Sequence, residues 1–337
     1  MNLYLSNNYL DMGAIISAPY PFIVVISARG GGKTYGTLQY LVEQDLRFIY
    51  LRRSKTILDI VTDPRYQPFK KLNSARGWEI VPEKAGSGLP VFKDMLAPDQ
   101  PVIGYAAALS TFANVRGFDA SDVDVIVWDE FIPEPTERLL FNGFTAFANA
   151  LETIGRNREL EGMAPLKVVL LSNSDLIYGD VVEGFHLGDE LLQMQEHGIE
   201  VLEHSPDMLL IMPKLEAYAA AKADTALYRL TEGSSFSEVA LGNRFPVEDR
   251  SMIKRRPLSE YKPVCRISGL CVYKHKTGRS YYVTDHVSGD PPAYEATEAD
   301  HRRYLREQKA VTGAWLRRRV YFSGIDVQTR FKRLYNS

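Results

Sequence analysis

The stretch FIVVISARGGGKT, running from Phe22 to Thr34, decides the fold. It passes from a short apolar run rich in β-branched residues into three consecutive glycines, then into a helix-compatible segment, Lys33–Gln44. Runs that are apolar on both faces fit interior strands of a parallel sheet covered by helices. Strand, glycine loop and helix in that order therefore predict the first β–α unit of an α/β sheet. Similar runs recur at Arg47–Leu51 (RFIYL), Val123–Trp128 (VDVIVW) and Lys167–Leu171 (KVVLL), with another strand candidate at Leu209–Met212 (LLIM). Between the second and third lies Asp63–Gln100, polar and interrupted by Pro and Gly, which reads as an excursion containing a hairpin.

Residues Ser27–Thr34 fill the spacing of a P-loop, with Ser27 in place of the usual first glycine. The residue types suit phosphate chemistry. Gly30, Gly31 and Gly32 let successive backbone N–H groups, beginning beside Arg29, turn toward the phosphates of ATP, and the following helix adds its positive dipole end. Lys33 reaches the β and γ phosphates, and the Thr34 hydroxyl suits Mg2+. A second constellation, Val125-Ile126-Val127-Trp128-Asp129-Glu130, is a buried strand ending in two carboxylates. Asp129 suits the metal shell and Glu130 the attacking water, roles that a P-loop hydrolase needs filled at a neighbouring strand end. A third strand end places Asn173 beside the expected site, either against the γ phosphate or water or as a loop cap. Arg156-Asn157-Arg158 follows a helix-compatible stretch, and a guanidinium fork matches the charge of a phosphoryl transition state, although a surface pair at a helix end has the same spacing. Arg52-Arg53-Ser54-Lys55 follows the second strand on the rim that carries the P-loop, as a nucleotide sensor or part of a subunit seam.

Composition sets the class. Of 337 residues 45% are hydrophobic and 24% charged, which excludes collagenous, disulfide-scaffold and largely disordered chains. No apolar run approaches the roughly 18–20 residues of a bilayer span, and the first cation is Arg29, so the expectation is a cytoplasmic chain with no membrane partner. Cys265 and Cys271 match no metal or redox spacing and read as free thiols. The net charge of −2 conceals an asymmetry: residues 301–337 carry ten Lys or Arg against Glu307 and Asp326, a local +8 that leaves −10 for the rest. A basic tail on an acidic body suggests a polyanion partner. Leu215–Leu230 favours a helix, and beyond residue 249 the chain turns Tyr-rich, with strand-like alternation at Val264–Val272 and Tyr281–Thr284 and a basic helix at Thr297–Lys309. The expected division is 1–214, a P-loop domain; 215–248, a helical linker; and 249–337, a basic α+β domain that binds nucleic acid.

Taken together, SARGGGKT, IYLRRSK, VIVWDEF, GRNRE and VVLLSN closely resemble the DNA-packaging ATPases of small, short-tailed bacteriophages whose genomes carry covalently attached terminal proteins. The likeness continues through Glu238–Phe245 (EVALGNRF) and Gly324–Leu334 (GIDVQTRFKRL), and weakens over residues 62–100 and 274–300. It implies an additional-strand, conserved-glutamate (ASCE) P-loop fold followed by a vestigial RNase H-like domain. It further implies a homo-oligomeric ring, a pentamer, at the capsid portal of a procapsid in the host cytoplasm, driving double-stranded DNA inward by ATP hydrolysis, with packaging RNA as a further partner in some members. By the same resemblance Lys33 and Thr34 hold phosphate and Mg2+, Asp129 and Glu130 are the Walker B acid and catalytic glutamate, Arg156 is a trans-acting finger, Lys55 a trans-acting lysine, and Asn173 a coupling residue. Two alternatives stand beside it: a terminase large subunit with an active nuclease domain, and a non-motor P-loop switch or kinase. The loop Pro133–Asn142 is a candidate pore element.

Overall fold

The computed structural model describes residues 1–84, 88–112, 120–133, 143–173, 179–234, 237, 241, 250–295 and 297–336. Most of the candidate pore loop and most of Glu238–Phe245 lie outside these residues. The chain forms two compact units, Met1–Pro246 and Val247–Ser337. Among the described residues no helix is long and apolar enough to cross a membrane.

In the first unit, a short helix α1 (Met12–Ile16), whose N-cap Asp11 accepts from the Ala14 N–H, precedes β1 (Phe22–Ile26). The glycine loop then opens α2 (Lys33–Glu43) with Gly32 as its N-cap. Next come β2 (Phe48–Arg52), α3 (Lys55–Val61), α4 (Lys70–Arg76), β3 (Ile80–Glu83), β4 (Val91–Asp94), β5 (Val102–Ala108) and α5 (Leu109–Phe112). The unit continues through β6 (Val125–Asp129), α6 (Gly143–Gly155), β7 (Lys167–Ser172), α7 (Asp180–Gly184), α8 (Gly188–His197), β8 (Val201–Ser205), β9 (Met208–Ile211), α9 (Glu216–Ala223) and α10 (Ala226–Leu230).

Among the described residues nine strands form one sheet in the order β3-β4-β5-β2-β6-β7-β1-β9-β8. The six from β5 to β9 are mutually parallel, while β3, β4 and β8 pair antiparallel at the edges. The apolar runs read from the sequence are the inner strands: every residue of β2 and β6 is buried, as a strand covered on both faces requires. The excursion does contain a hairpin, β3–β4, and it is held to the sheet by aromatic packing. Phe92 stacks on Phe48 at 6.1 Å and meets Phe69 edge-on at 5.1 Å.

Three features differ from the expectation. Strand β5 (VIGYAAA) carries no strand signal in its sequence, being built largely of Gly and Ala; its Gly104 lies directly under Phe48, whose ring fills the space a side chain would take. The helix expected over Leu215–Leu230 breaks at Asp224–Thr225 into α9 and α10. In the second unit the alternation over Val264–Val272 is not one strand. Ser268 and Gly269, both at positive φ (49° and 74°), turn it into the hairpin of β10 (Tyr261–Ile267) and β11 (Leu270–His275).

That second sheet continues with β12 (Tyr281–Thr284), antiparallel to β11. The parallel edge strands are β13 (Ala293–Tyr294) beside β10 and β14 (Val320–Phe322) beside β12. Its helices are α11 (Glu298–Glu307), α12 (Lys309–Leu316) and α13 (Ile325–Asn336). Thr297 caps α11 by accepting from the Asp300 N–H, which places that helix start where the sequence put it. The core gathers Cys265, Val272, Val283, Tyr304, Phe322 and Phe331.

Candidate nucleotide site

The site forms where parallel strands end together. Strand β1 sits between β7 and β9, so the loop leaving β1 lies beside the loop leaving β7; the Ser27 N–H donates to the Ser172 carbonyl at 3.2 Å and ties the two. Gly30 and Gly32 both take φ of +89°, a region open to glycine and costly to other residues. This backbone encloses Lys33, which is 7% exposed. Its ammonium donates to the Ser27 carbonyl (2.9 Å), the Ser27 hydroxyl (3.0 Å), the Ala28 carbonyl (3.2 Å) and Asn173 Oδ1 (3.2 Å). Ser27, the departure from the P-loop pattern, thus has a use: its hydroxyl accepts from the lysine.

Strand β6 is not beside β1; β7 lies between them, and β2 lies on the other side of β6. The register of β2 on β6, Leu51 opposite Trp128, carries Tyr50 and Arg52 up to the paired acids. Asp129 Oδ2 accepts from Thr34 Oγ1 (3.0 Å), the Tyr50 hydroxyl (2.6 Å) and Arg52 Nη1 (3.1 Å). The other Arg52 nitrogen, Nη2, pairs with Glu130. The Arg52 and Asp129 side chains are each 9% exposed whereas that of Glu130 is 41% exposed, so the ion pair reaches from the interior to the mouth of the site. Burial opposes the charge on Arg52, yet Tyr50, Asp129 and Glu130 together hold its pKa above the ordinary guanidinium value. Burial and the Asp129 charge push the Tyr50 hydroxyl well up, which keeps it a proton donor to the carboxylate.

The other candidates separate. Arg53 is buried, donates to the Phe131 carbonyl and lies 6.0 Å from the centre of the Trp128 ring, which makes it part of the scaffold. Ser54 caps α3, and Lys55 is exposed at the first position of that helix. Arg29 is exposed on the loop, its carbonyl accepting from Lys222 Nζ at 3.0 Å. Arg156 stands at the far end of the sheet. It follows α6 with φ +42° and lines a cavity of about 390 Å³ with Phe22 and Val168, residues at the amino-terminal ends of β1 and β7. Arg158 donates to the Val123 carbonyl at that same end. Neither approaches the P-loop of its own chain.

The donor set fits a magnesium-bound nucleotide. Two hard oxygen donors, the Thr34 hydroxyl and the Asp129 carboxylate, lie side by side, hydrogen-bonded at 3.0 Å, and together would hold a small oxygen-seeking cation. The sequence motifs point to Lys33, Thr34, Asp129, Glu130 and Asn173, whereas Tyr50 carries no such signal, being an apolar-run residue whose partner follows only from the pairing of β2 with β6.

A strand inserted between the P-loop strand and the acid-bearing strand defines the additional-strand class of P-loop folds. Within that class, the chain belongs to the Podovirus DNA encapsidation protein (Gp16) family, whose model matches residues 6–277. The DNA packaging protein of Bacillus phage phi29 is 27% identical over 237 residues, a match spanning 69% of this chain and 64%, less than two thirds, of that relative. The same fold occurs in a chain of the bacteriophage Phi-29 viral genome packaging motor assembly, with a TM-score of 0.62 at 19% identity over 99% of both chains. It occurs again in the Phi-28 gp11 DNA packaging motor, with a TM-score of 0.61 at 17% identity over 98% of both.

Proposed function

We propose that this chain hydrolyses ATP with Mg2+ and uses the energy to drive double-stranded viral DNA through the portal of an empty capsid in the host cytoplasm, working as a homo-oligomeric ring. The convergence of Lys33, Thr34, Asp129, Glu130 and Asn173 on one strand-end rim carries the catalytic part of this reading; family membership supports the packaging part. Bound Mg2+ would neutralise phosphate charge. Lys33 leaves its acceptors in the loop for the β and γ phosphates, the N–H groups of residues 30–34 hold them, and Asn173, freed from Lys33, faces the γ phosphate or the attacking water. Glu130 orients that water and takes its proton. Because Arg52 pairs with Glu130, the guanidinium must let go before the carboxylate can act.

Arg156 would serve a neighbour's site, since its own P-loop lies at the other end of the sheet, and Lys55, exposed on the P-loop rim, would stand at the seam where a neighbour's arginine arrives. In this reading 1–214 is the motor domain, 215–248 the linker, and 249–337 the part that holds DNA, portal or packaging RNA; a pentamer is the proposed ring. The nuclease alternative needs an acid cluster for metals, and among the described residues no group of three His, Cys, Asp or Glu side chains is placed to hold one.

One experiment tests the reading: phosphate release with duplex DNA by wild type, Glu130→Gln, Arg156→Ala and an equal mixture of the two variants. Glu130→Gln should bind ATP normally and turn over about 10²–10⁴-fold more slowly. The mixture should exceed the sum of its components, because some seams pair an intact Glu130 with an intact Arg156. Near-wild-type turnover by Glu130→Gln rejects the assignment, and an additive mixture rejects action in trans.

A further inference from the structure

Asp129 and Glu130, at the end of β6, and Asn173, after β7, all lie on the β7 and β6 side of the P-loop strand. That is the γ-phosphate side, so the nucleoside end of the ligand must leave toward the opposite flank, where β9 neighbours β1. Two aromatic rings occupy that flank. Tyr218, on the helix that follows β9, packs its hydroxyl on Gly30 so closely that a Cβ there would lie 2.0 Å from it; Tyr9 covers Gly32, with Cδ1 at 3.2 Å from the corresponding position. The rings meet at 5.9 Å with a 54° tilt.

Both are held in place. The Leu10 N–H donates to the Gly31 carbonyl at 3.2 Å, and the Leu5 N–H to the Tyr9 carbonyl at 2.9 Å, which fixes the turn presenting Tyr9. Lys222 bonds the Arg29 carbonyl while its ammonium lies 5.6 Å from the centre of the Tyr218 ring. Tyr9 nevertheless remains 42% exposed at the rim of the phosphate loop. A fixed, partly exposed aromatic ring beside a phosphate site is what a nucleobase stacks on, and the two groups are joined in one ligand.

We propose that Tyr9 is the base-stacking residue of this site, with Tyr218 behind it as the positioning residue that sets its angle. The inference rests on the ATP reading above and adds to it the part of the ligand that the P-loop motif does not address. Stacking reads the face of the base and leaves its hydrogen-bonding edge unread.

The test compares Mg2+-ADP with Mg2+-tripolyphosphate, which has the phosphates and no base, on wild type, Tyr9→Ala and Tyr9→Phe by calorimetric titration. Tyr9→Ala should weaken ADP roughly 5- to 150-fold, the range of single-base stacking losses, and leave tripolyphosphate within about twofold. Tyr9→Phe should restore ADP. Undiminished ADP affinity in Tyr9→Ala overturns the proposal, as does a parallel loss of both ligands, which would make Tyr9 a support for the loop. A wild type that binds neither ligand overturns the ATP reading itself, and tripolyphosphate binding by each variant reports that its loop is folded.

Discussion

Arg52 bridges the two carboxylates at the end of β6. It neutralises Asp129 in the interior and holds Glu130 at the mouth. Taking one partner from a buried ion pair typically costs about 3–5 kcal/mol, because the remaining charge stays desolvated. Arg52→Ala should therefore lower the stability of the first unit by about 3 kcal/mol, the lower end of that range, since Thr34 and Tyr50 still donate to Asp129. A divalent cation can take the place of the lost guanidinium, so Mg2+-ADP should raise the melting temperature of the variant by more than that of wild type. Equal shifts in a thermal scan would show that Arg52 and the metal do not share Asp129. Such a role was only half legible in the sequence. The string Arg52-Arg53-Ser54-Lys55 announced a cationic strand end, but its members part company in the fold: one joins the acids, the next props a carbonyl, and the last two begin a helix. Alternation along a strand assigns residues to opposite faces, and which neighbour each face meets is a property of sheet order.

Elements were legible in proportion to their apolar bulk. Strands β1, β2, β6, β7 and β9 declare themselves through Val, Ile, Leu and Phe, and the loop and helix after β1 through their glycines and their lysine. Strand β5 is central and parallel yet lacks that signal, since its small residues make room for rings from its neighbours. Gly104 faces Phe48 in register, and a Cβ there would stand 2.6 Å from the ring. Gly104→Ala should thus destabilise by about 1–3 kcal/mol, the usual cost of overpacking. The matching control is Gly155→Ala at the end of α6, where a Cβ meets nothing within 4 Å; it should be neutral or gain up to about 1 kcal/mol from the lower chain entropy of Ala. Urea midpoints of the two variants check both, and a Gly104→Ala chain as stable as wild type would mean that Phe48 can move aside. The short edge strand β8 and the break between α9 and α10 are illegible for another reason: each depends on what it packs against more than on its own residues.

At the scale of the molecule, both thiols lie in the second unit, fully buried. Burial, with the nearby Cys271, pushes the Cys265 thiol up to about 12. An alkylating reagent at pH 8 should therefore leave the native chain unmodified and label it only as that unit opens, which makes labelling in denaturant a selective probe of its unfolding. The unfolded thiol releases its proton near 9.0 and the folded one near 12. Below the lower value the contribution is complete, and it declines as pH rises through the interval, so the unit should lose stability over that range. Prompt labelling of native protein at pH 8 would contradict the buried placement. The first unit has a polarity of a different kind. Its phosphate loop and Arg156 stand at opposite ends of a slab of strands buried on both faces, and such a slab does not bend back on itself. Copies that associate by setting one chain's loop against another chain's arginine use two different patches, so the contact repeats head to tail. A row built that way always has one loop with no arginine before it, and only when the last copy meets the first is every loop served.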